Sequence, residues 1–210
     1  FIPYIITGRG IIQESMTPIE WGWDKLAKEE TQGKFRDWAG GIKHLAQYYI
    51  PRCWNTPETV GCIPDLHIFC DAGEKAYGAV AYRVVKGRNG IIESCIITGK
   101  GHVVPTNAKK AAHHNTIPRL ELVAAVKACD IKKNVEKLAA KVKSTGEKFG
   151  RTVIWCDSTA VLEQIFDEAT PPKGFVGNRV VRIQETTTPD QWYYVPTKLN
   201  PADLITKLSL

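Results

Sequence analysis

The segment Leu66-His67-Ile68-Phe69-Cys70-Asp71 is a short apolar run that stops on an acid. A run of this length and composition reads as a buried β-strand. The pattern returns at Thr152-Val153-Ile154-Trp155-Cys156-Asp157. A carboxylate at the end of a buried strand is costly unless a hydrogen bond, a cation or a metal compensates it. Two more acids stand out: Glu121 interrupts the apolar stripe of a helix, and Asp203 opens the last helix.

Outward from Leu66, the pattern predicts a second strand over 77–85. Lys86-Gly87-Arg88-Asn89-Gly90 carries the Asn-Gly hairpin signal, and a third strand follows over 91–98. A polar loop rich in Lys and His leads to a helix starting near Thr116-Ile117-Pro118, with Leu120, Ala124, Ala128, Ile131, Val135 and Leu138 as its apolar stripe. A fourth strand spans 152–156, and helices follow over 158–166 and, after Pro171-Pro172, over 175–185. A fifth strand covers 191–195, and Asn200-Pro201 caps the final helix. The order β-β-β-α-β-α-α-β-α indicates an α/β domain, one five-stranded mixed sheet with helices on both faces. Residues 1–60 lean helical, with Phe35, Trp38, Ile42, Leu45 and Tyr49 at three- and four-residue steps. The turn-rich stretch from Asn55 to Pro64 divides them from a domain over 61–210. The aromatics Trp21, Trp23 and Trp38 are too many for a free linker, so this segment is expected to pack on the domain or on a further one.

No apolar run approaches the ~20 residues that span a bilayer. The start, Phe1-Ile2-Pro3-Tyr4, lacks an initiator Met and a basic signal region, so the chain reads as part of something longer. Residues 1–63 hold seven basic and seven acidic residues, which leaves 21 of the 28 basic and 15 of the 22 acidic ones for the rest. All of the +6 net charge therefore lies on the domain, and a polyanionic partner is the natural reading. The six cysteines form no CxxC pair and read as reduced, buried residues of an intracellular protein. Zinc binding by His67 with Cys62 and Cys70 is disfavoured, because alternation sends His67 and Cys70 to opposite faces of a strand. The His113-His114 doublet reads as a solvated loop.

Each acid has a structural alternative. Glu121 has Ile117, Ala124, Ala125 and Ala128 as helical neighbours, so it points with the core-facing stripe. Alternatively it sits at the stripe's edge near the helix start, or pairs with Arg119. Asp71 could open an Asx turn into Ala72-Gly73, and Asp157 could cap the following helix. Asp203 has the strongest alternative, as the third residue of a well-capped helix. Their combination carries the case. If the first and fourth strands are neighbours, Asp71 and Asp157 meet at one sheet edge with the Glu121 helix across them. Carboxylates gathered in this way repel unless divalent cations bind them, and hard oxygen ligands suit Mg²⁺ or Mn²⁺. The residues alone thus point to a metal-dependent nuclease.

The wording of these segments resembles the RNase H domain, with its preceding connection segment, of BEL/Pao-type LTR retrotransposon polyproteins. The motifs that carry the likeness are Asp71-Ala72-Gly73-Glu74-Lys75-Ala76-Tyr77-Gly78, Ile117-Pro118-Arg119-Leu120-Glu121-Leu122 and Trp155-Cys156-Asp157-Ser158-Thr159. Phe175-Val176-Gly177-Asn178-Arg179-Val180 and Val195-Pro196-Thr197-Lys198-Leu199-Asn200-Pro201-Ala202-Asp203 complete them, with Gly22-Trp23-Asp24 and Ile50-Pro51-Arg52-Cys53 upstream. The resemblance implies an RNase H-like fold and hydrolysis of the RNA strand of RNA/DNA hybrids during reverse transcription. It implies two Mg²⁺ ions, replaceable by Mn²⁺, held by Asp71, Glu121, Asp157 and Asp203. It further implies the reverse transcriptase portion of the same polyprotein as partner, and a cytoplasmic place within virus-like particles. Ala72, Gly73, Arg119, Asn178, Arg179 and Arg182 are the substrate contacts to expect, since a hybrid is read through its backbones and 2′-hydroxyls. A solvated helix face is the alternative for the three on the 175–185 helix. The chain departs from the pattern in three places. Asp-Ala-Gly stands where Asp-Ala-Ser is usual, Glu163-Gln164 stands where an aromatic is common, and Thr197-Lys198-Leu199 offers no loop histidine. A binding module that holds the hybrid without cutting it, or a resolvase- or integrase-like nuclease, are the competing readings.

Overall fold

The computed structural model describes residues 2–16, 24–49, 53–106, 116–141, 148–167 and 174–207. Trp21, Trp23, His113-His114 and Pro171-Pro172 lie outside these residues. Two helices, α1 (Ile2–Ser15) and α2 (Glu29–Gly41), precede the sheet. Strands β1 (Asp65–Ala72), β2 (Ala76–Lys86) and β3 (Ile92–Val103) form an antiparallel meander. After helix α3 (Ile117–Lys141), β4 (Thr152–Cys156) pairs parallel with β1. Helices α4 (Thr159–Phe166) and α5 (Phe175–Gln184), strand β5 (Trp192–Tyr194) and the short helix α6 (Asp203–Thr206) complete the chain. The strand order is β3-β2-β1-β4-β5, a five-stranded mixed sheet as the sequence predicts.

Alternation separates two faces. Leu66, Ile68 and Cys70 of β1, Ala79 and Ala81 of β2, and Ile154 of β4 point toward α3, α4 and α5 and form the large core. Val80 and Tyr82 of β2 and Phe69 of β1 point the other way, toward a small cluster with Ile6 of α1 and Ile205 of α6. Helices therefore lie on both faces. The α3 stripe is buried from Leu120 to Val135, but Leu138 is 63% exposed, which corrects its assignment to the core. The helix outruns the described elements that would cover it.

The third strand runs to Val103, past the expected end at residue 98. Gly99 and Gly101 read as loop residues, yet they are where α1 lands on the sheet. A Cβ on Gly101 would meet Ile6 at 2.7 Å and Ile205 at 2.8 Å. Glycine within a strand marks a close approach of this kind. The N-terminal segment thus packs on the sheet, through α1. Helix α2 folds back on α1, where Trp38 Nε1 donates to the Tyr4 carbonyl at 2.9 Å and the two rings stack. The rest of the predicted α2 stripe is less covered: Phe35, Ile42 and Tyr49 are exposed.

The turn-rich stretch before β1 is fastened to the meander. The fully buried Arg83 donates to Asn55 Oδ1 at 2.6 Å, and Thr56 Oγ1 donates to Glu93 at 3.0 Å. The β2–β3 turn closes with Gly90 at φ +80°, the left-handed conformation that the Asn-Gly signal predicts. His67 accepts a hydrogen bond from Trp155 Nε1 at 3.0 Å, while Cys70 lies in the core on the opposite face. Their separation removes the geometry a shared zinc ion needs. Cys70, Cys129 and Cys156 are buried as expected, whereas Cys53 is exposed and Cys62 and Cys95 are half-buried. All six are free thiols. Among the described residues, no helix is long and apolar enough to cross a membrane.

Candidate active site at the ends of β1 and β4

The parallel register pairs Leu66 with Thr152 and Cys70 with Cys156. Asp71 and Asp157 are the next residues on each chain, so they stand side by side at the carboxyl ends of neighbouring strands, roughly 5 Å apart at the backbone. Asp71 is still within β1 and 9% exposed. It projects to the outer face, opposite Gly78 in the register, where the Thr206 hydroxyl donates to its Oδ2 at 2.6 Å. Burial raises the Asp71 pKa above the usual 3.8. The Thr206 hydrogen bond and the Ala72 amide oppose that rise, while the charges of Asp157 and Asp203 reinforce it. The three aspartates therefore share one electrostatic neighbourhood.

Asp203 is brought there by Asn200. The side chain of Asn200 is buried, donates to the Cys70 carbonyl at 3.0 Å and accepts from the Ala202 amide at 3.1 Å. The expected cap is thus a strap between the end of β1 and the start of α6, and the helix proper begins at Asp203. Lys207, one turn on, forms an ion pair with the Asp203 carboxylate.

Glu121 approaches from the inner-face helix. It is half-buried at the edge of the stripe, and the Ser158 hydroxyl donates to its Oε2 at 2.8 Å. Ser158 also accepts from the Val161 amide at 3.3 Å and so caps α4. The cap role considered for Asp157 therefore falls to its neighbour. Arg119 does not pair with Glu121. Its guanidinium lies 5.2 Å from the centre of the Phe175 ring, and that of Arg179 lies 3.3 Å from the same ring. Burial is the main influence lowering the Arg179 pKa, and the nearby charges of Arg119 and Arg182 add to it.

The expected substrate residues divide into groups. Arg119, two residues before Glu121 on α3, and Arg179 of α5 converge on Phe175. Arg182 instead pairs with Asp130 at 2.5 Å, and Asn178 borders the same crevice between α3 and α5. Asp130 is nine residues beyond Glu121, about 13 Å along the helix. Ala72 is buried, and the Gly73 amide donates to the Ala76 carbonyl at 2.8 Å. Phe175, Ser158, Asn200, Thr206 and Lys207 were not singled out from sequence as part of the site. Ser158 carried a readable signal, a small hydroxyl residue between a strand acid and a helix.

Four carboxylates are hard oxygen donors, and a divalent cation would relieve the repulsion from Asp157 and Asp203 that adds to the effect of burial on Asp71. The donor chemistry fits Mg²⁺ or Mn²⁺. The side chains do not close around an ion: among the described residues no group of three or more His, Cys, Asp or Glu is gathered to hold one. Ser158, Thr206 and Lys207 each hold one of the acids instead.

No curated protein matches this chain. Solved structures that align with it include three RNase H proteins. One is the N-terminal RNase H domain of a Mycobacterium tuberculosis protein, solved as a fusion with maltose-binding protein, at 14% identity over 68% of this chain and 91% of that one, with a TM-score of 0.41. RNase H1 of the halophilic archaeon Halobacterium salinarum aligns at 17% identity over 66% and 89%, with a TM-score of 0.37. LC11-RNase H1, solved in complex with an RNA/DNA hybrid, aligns at 12% identity over 68% and 92%, with a TM-score of 0.38. A family model described as the Pao retrotransposon-like RNaseH-like domain matches residues 1–158, which include Asp71, Glu121 and Asp157 and stop short of Asp203. On that match the chain belongs to the Pao retrotransposon-like RNaseH-like domain family.

Proposed function

We propose that this protein is a divalent-cation-dependent endonuclease that hydrolyses the RNA strand of RNA/DNA hybrids. One observation carries the reading: the β1–β4 register sets Asp71 beside Asp157 at the sheet edge, with Asp203 close enough to perturb Asp71. Asp71, Glu121, Asp157 and Asp203 would hold two Mg²⁺ ions, or Mn²⁺ in their place. Bound there, the ions would supply charge stabilisation for the displaced phosphate oxygens and a water activated for attack. The chain's own residues do the positioning. Thr206 orients Asp71, Ser158 orients Glu121, and Asn200 fastens the Asp203 helix to the end of β1. Arg119 and Arg179, stacked on Phe175, offer two guanidiniums to backbone phosphates. Asn178 and Arg182, the latter paired with Asp130, would add polar contacts further along α5, while the small Ala72 and Gly73 leave the strand end unobstructed. Residues 1–60 serve as the connection to the reverse transcriptase portion of the same polyprotein, the partner this reading implies, in virus-like particles.

A second reading has its own observation. Three of the four acids are engaged by protein side chains, and none of the described residues gather to chelate an ion. A module that binds the hybrid without cutting it would look like this. One assay separates them: labelled RNA/DNA hybrid, DNA duplex and RNA duplex are each incubated with protein and Mg²⁺. Cleavage confined to the hybrid's RNA strand supports the nuclease, and binding without cleavage supports the module. Cutting of DNA would point to a resolvase- or integrase-like enzyme.

A further inference from the structure

The apolar stripe of α3 does not end where the core ends. Ile131 and Val135 are buried, and Leu138, the next member, is 63% exposed. It opens onto a groove of about 1380 Å³ between α3, β3 and the stretch before β1. Val135 and Leu138 form its floor with Ile97 and Phe149, and Trp54 and Ile63 line its far wall. That wall is anchored, because Arg83 holds Asn55, next to Trp54, from inside the sheet. Lys100, Lys137, Lys141 and Lys148 line the groove and are all exposed, and among the described residues no acidic one lines it. Among the described residues, none of these lysines forms an ion pair.

We propose that this groove docks an acidic amphipathic helix of a protein partner. The α3 side of the groove, from Ile131 to Lys141, is about 15 Å long, room for three helical turns. A helix with apolar residues at i, i+3 or i+4, and i+7 fills such a floor. Unpaired lysines around it select Glu and Asp on that helix's flanks and repel a basic one. The mainly aliphatic floor favours a protein over a single-stranded nucleic acid, whose bases call for aromatic stacking platforms. Leu138 lies 17 residues beyond Glu121, about 25 Å along α3, so docking and the proposed cleavage occupy separate places. The docking proposal stands whether or not the acids cut RNA.

The test uses the full chain and a fluorescein-labelled helical peptide with Leu at i, i+3 and i+7 and Glu on both flanks. A peptide with Lys for each Glu, a short single-stranded RNA and light scattering of the free chain complete the comparison. The expected result is saturable binding of the acidic peptide alone, weakened at least about tenfold by Leu138→Glu and by Lys137→Glu combined with Lys141→Glu. Melting temperature and hybrid cleavage should not change in either variant, since all three side chains are exposed. No binding of the acidic peptide, or binding untouched by both variants, overturns the proposal. So does preference for the basic peptide or the RNA, or a dimer of the free chain that Leu138→Glu dissolves.

Discussion

On the inner face of the sheet, Leu66, Ile68, Ala79, Ala81 and Ile154 are fully buried against helices that follow them in sequence. On the outer face, the same strands show Phe69 stacked on Trp155 and meeting Tyr82 edge-on, all three only partly covered, with α1 seated on β3 and α6 on β1 and β2. The inner face is held by aliphatic volume. The outer face is held by aromatic contacts and by the absence of side chains at Gly99 and Gly101. The candidate site acids straddle the two, Glu121 on the inner-face helix and Asp71 on the outer side with α6. A site built across a sheet edge thus depends on both packing schemes at once.

That contrast can be broken from either side. Ile154→Ala empties the centre of the large core and should cost about 2–5 kcal/mol in urea unfolding. Gly101→Val probes the outer face, where the new side chain collides with Ile6 and Ile205; a loss of about 1–3 kcal/mol is expected. Loss in the first and none in the second would mean that α1 does not sit on β3. Arg119→Ala together with Arg179→Ala removes the inner-side cations of the site without touching an acid. Steady-state cleavage should show KM raised about tenfold, or ~1.4 kcal/mol, with kcat little changed. A fall in kcat alone would place these arginines elsewhere in the reaction.

The smallest effect is electrostatic. Asp71 has a raised pKa in the fold, so the folded state keeps its proton longer than the unfolded chain does. Stability is therefore lost as pH rises from 3.8 through the raised value. Asp71→Asn should melt higher than the parent at pH 7 without divalent ions, and the gap should close below pH 3.8. Mg²⁺ should raise the melting temperature of the parent more than that of the variant. An unchanged parent in Mg²⁺ would favour the non-catalytic reading.

Much of this molecule was legible in its sequence where causes are local. Thr152–Cys156 is the strand its short apolar run predicts, and Asn89-Gly90 is the turn its chemistry predicts. The α3 periodicity set Glu121 with the core-facing stripe, and the fold leaves it half-buried at that stripe's edge. The order of elements predicts one mixed sheet, while the pairing of β1 with β4 was only a condition until the fold supplied it. The failures are contacts made across the chain. Gly99 and Gly101 look like loop glycines until α1, some 90 residues earlier, is laid on them. Asn200 looks like an ordinary cap, and only the fold reveals the Cys70 carbonyl waiting for its amide. Leu138 obeys the periodicity and still finds no cover, because a stripe records which face is apolar and not what lies against it. Thr206 reaches Asp71 across 135 residues, a pairing that no local pattern encodes.

In the proposed function, Asp71, Glu121, Asp157 and Asp203 form one divalent-cation site that cuts RNA in a hybrid. Its most direct measurement is the rate of RNA-strand cleavage in a labelled hybrid across a Mg²⁺ titration, for the parent and Asp157→Asn. Mg²⁺-dependent cleavage by the parent is expected, with a loss of at least about 100-fold in the variant, whose circular dichroism stays that of the parent. Full activity in Asp157→Asn, or equal cleavage by the parent without divalent ions, would contradict it.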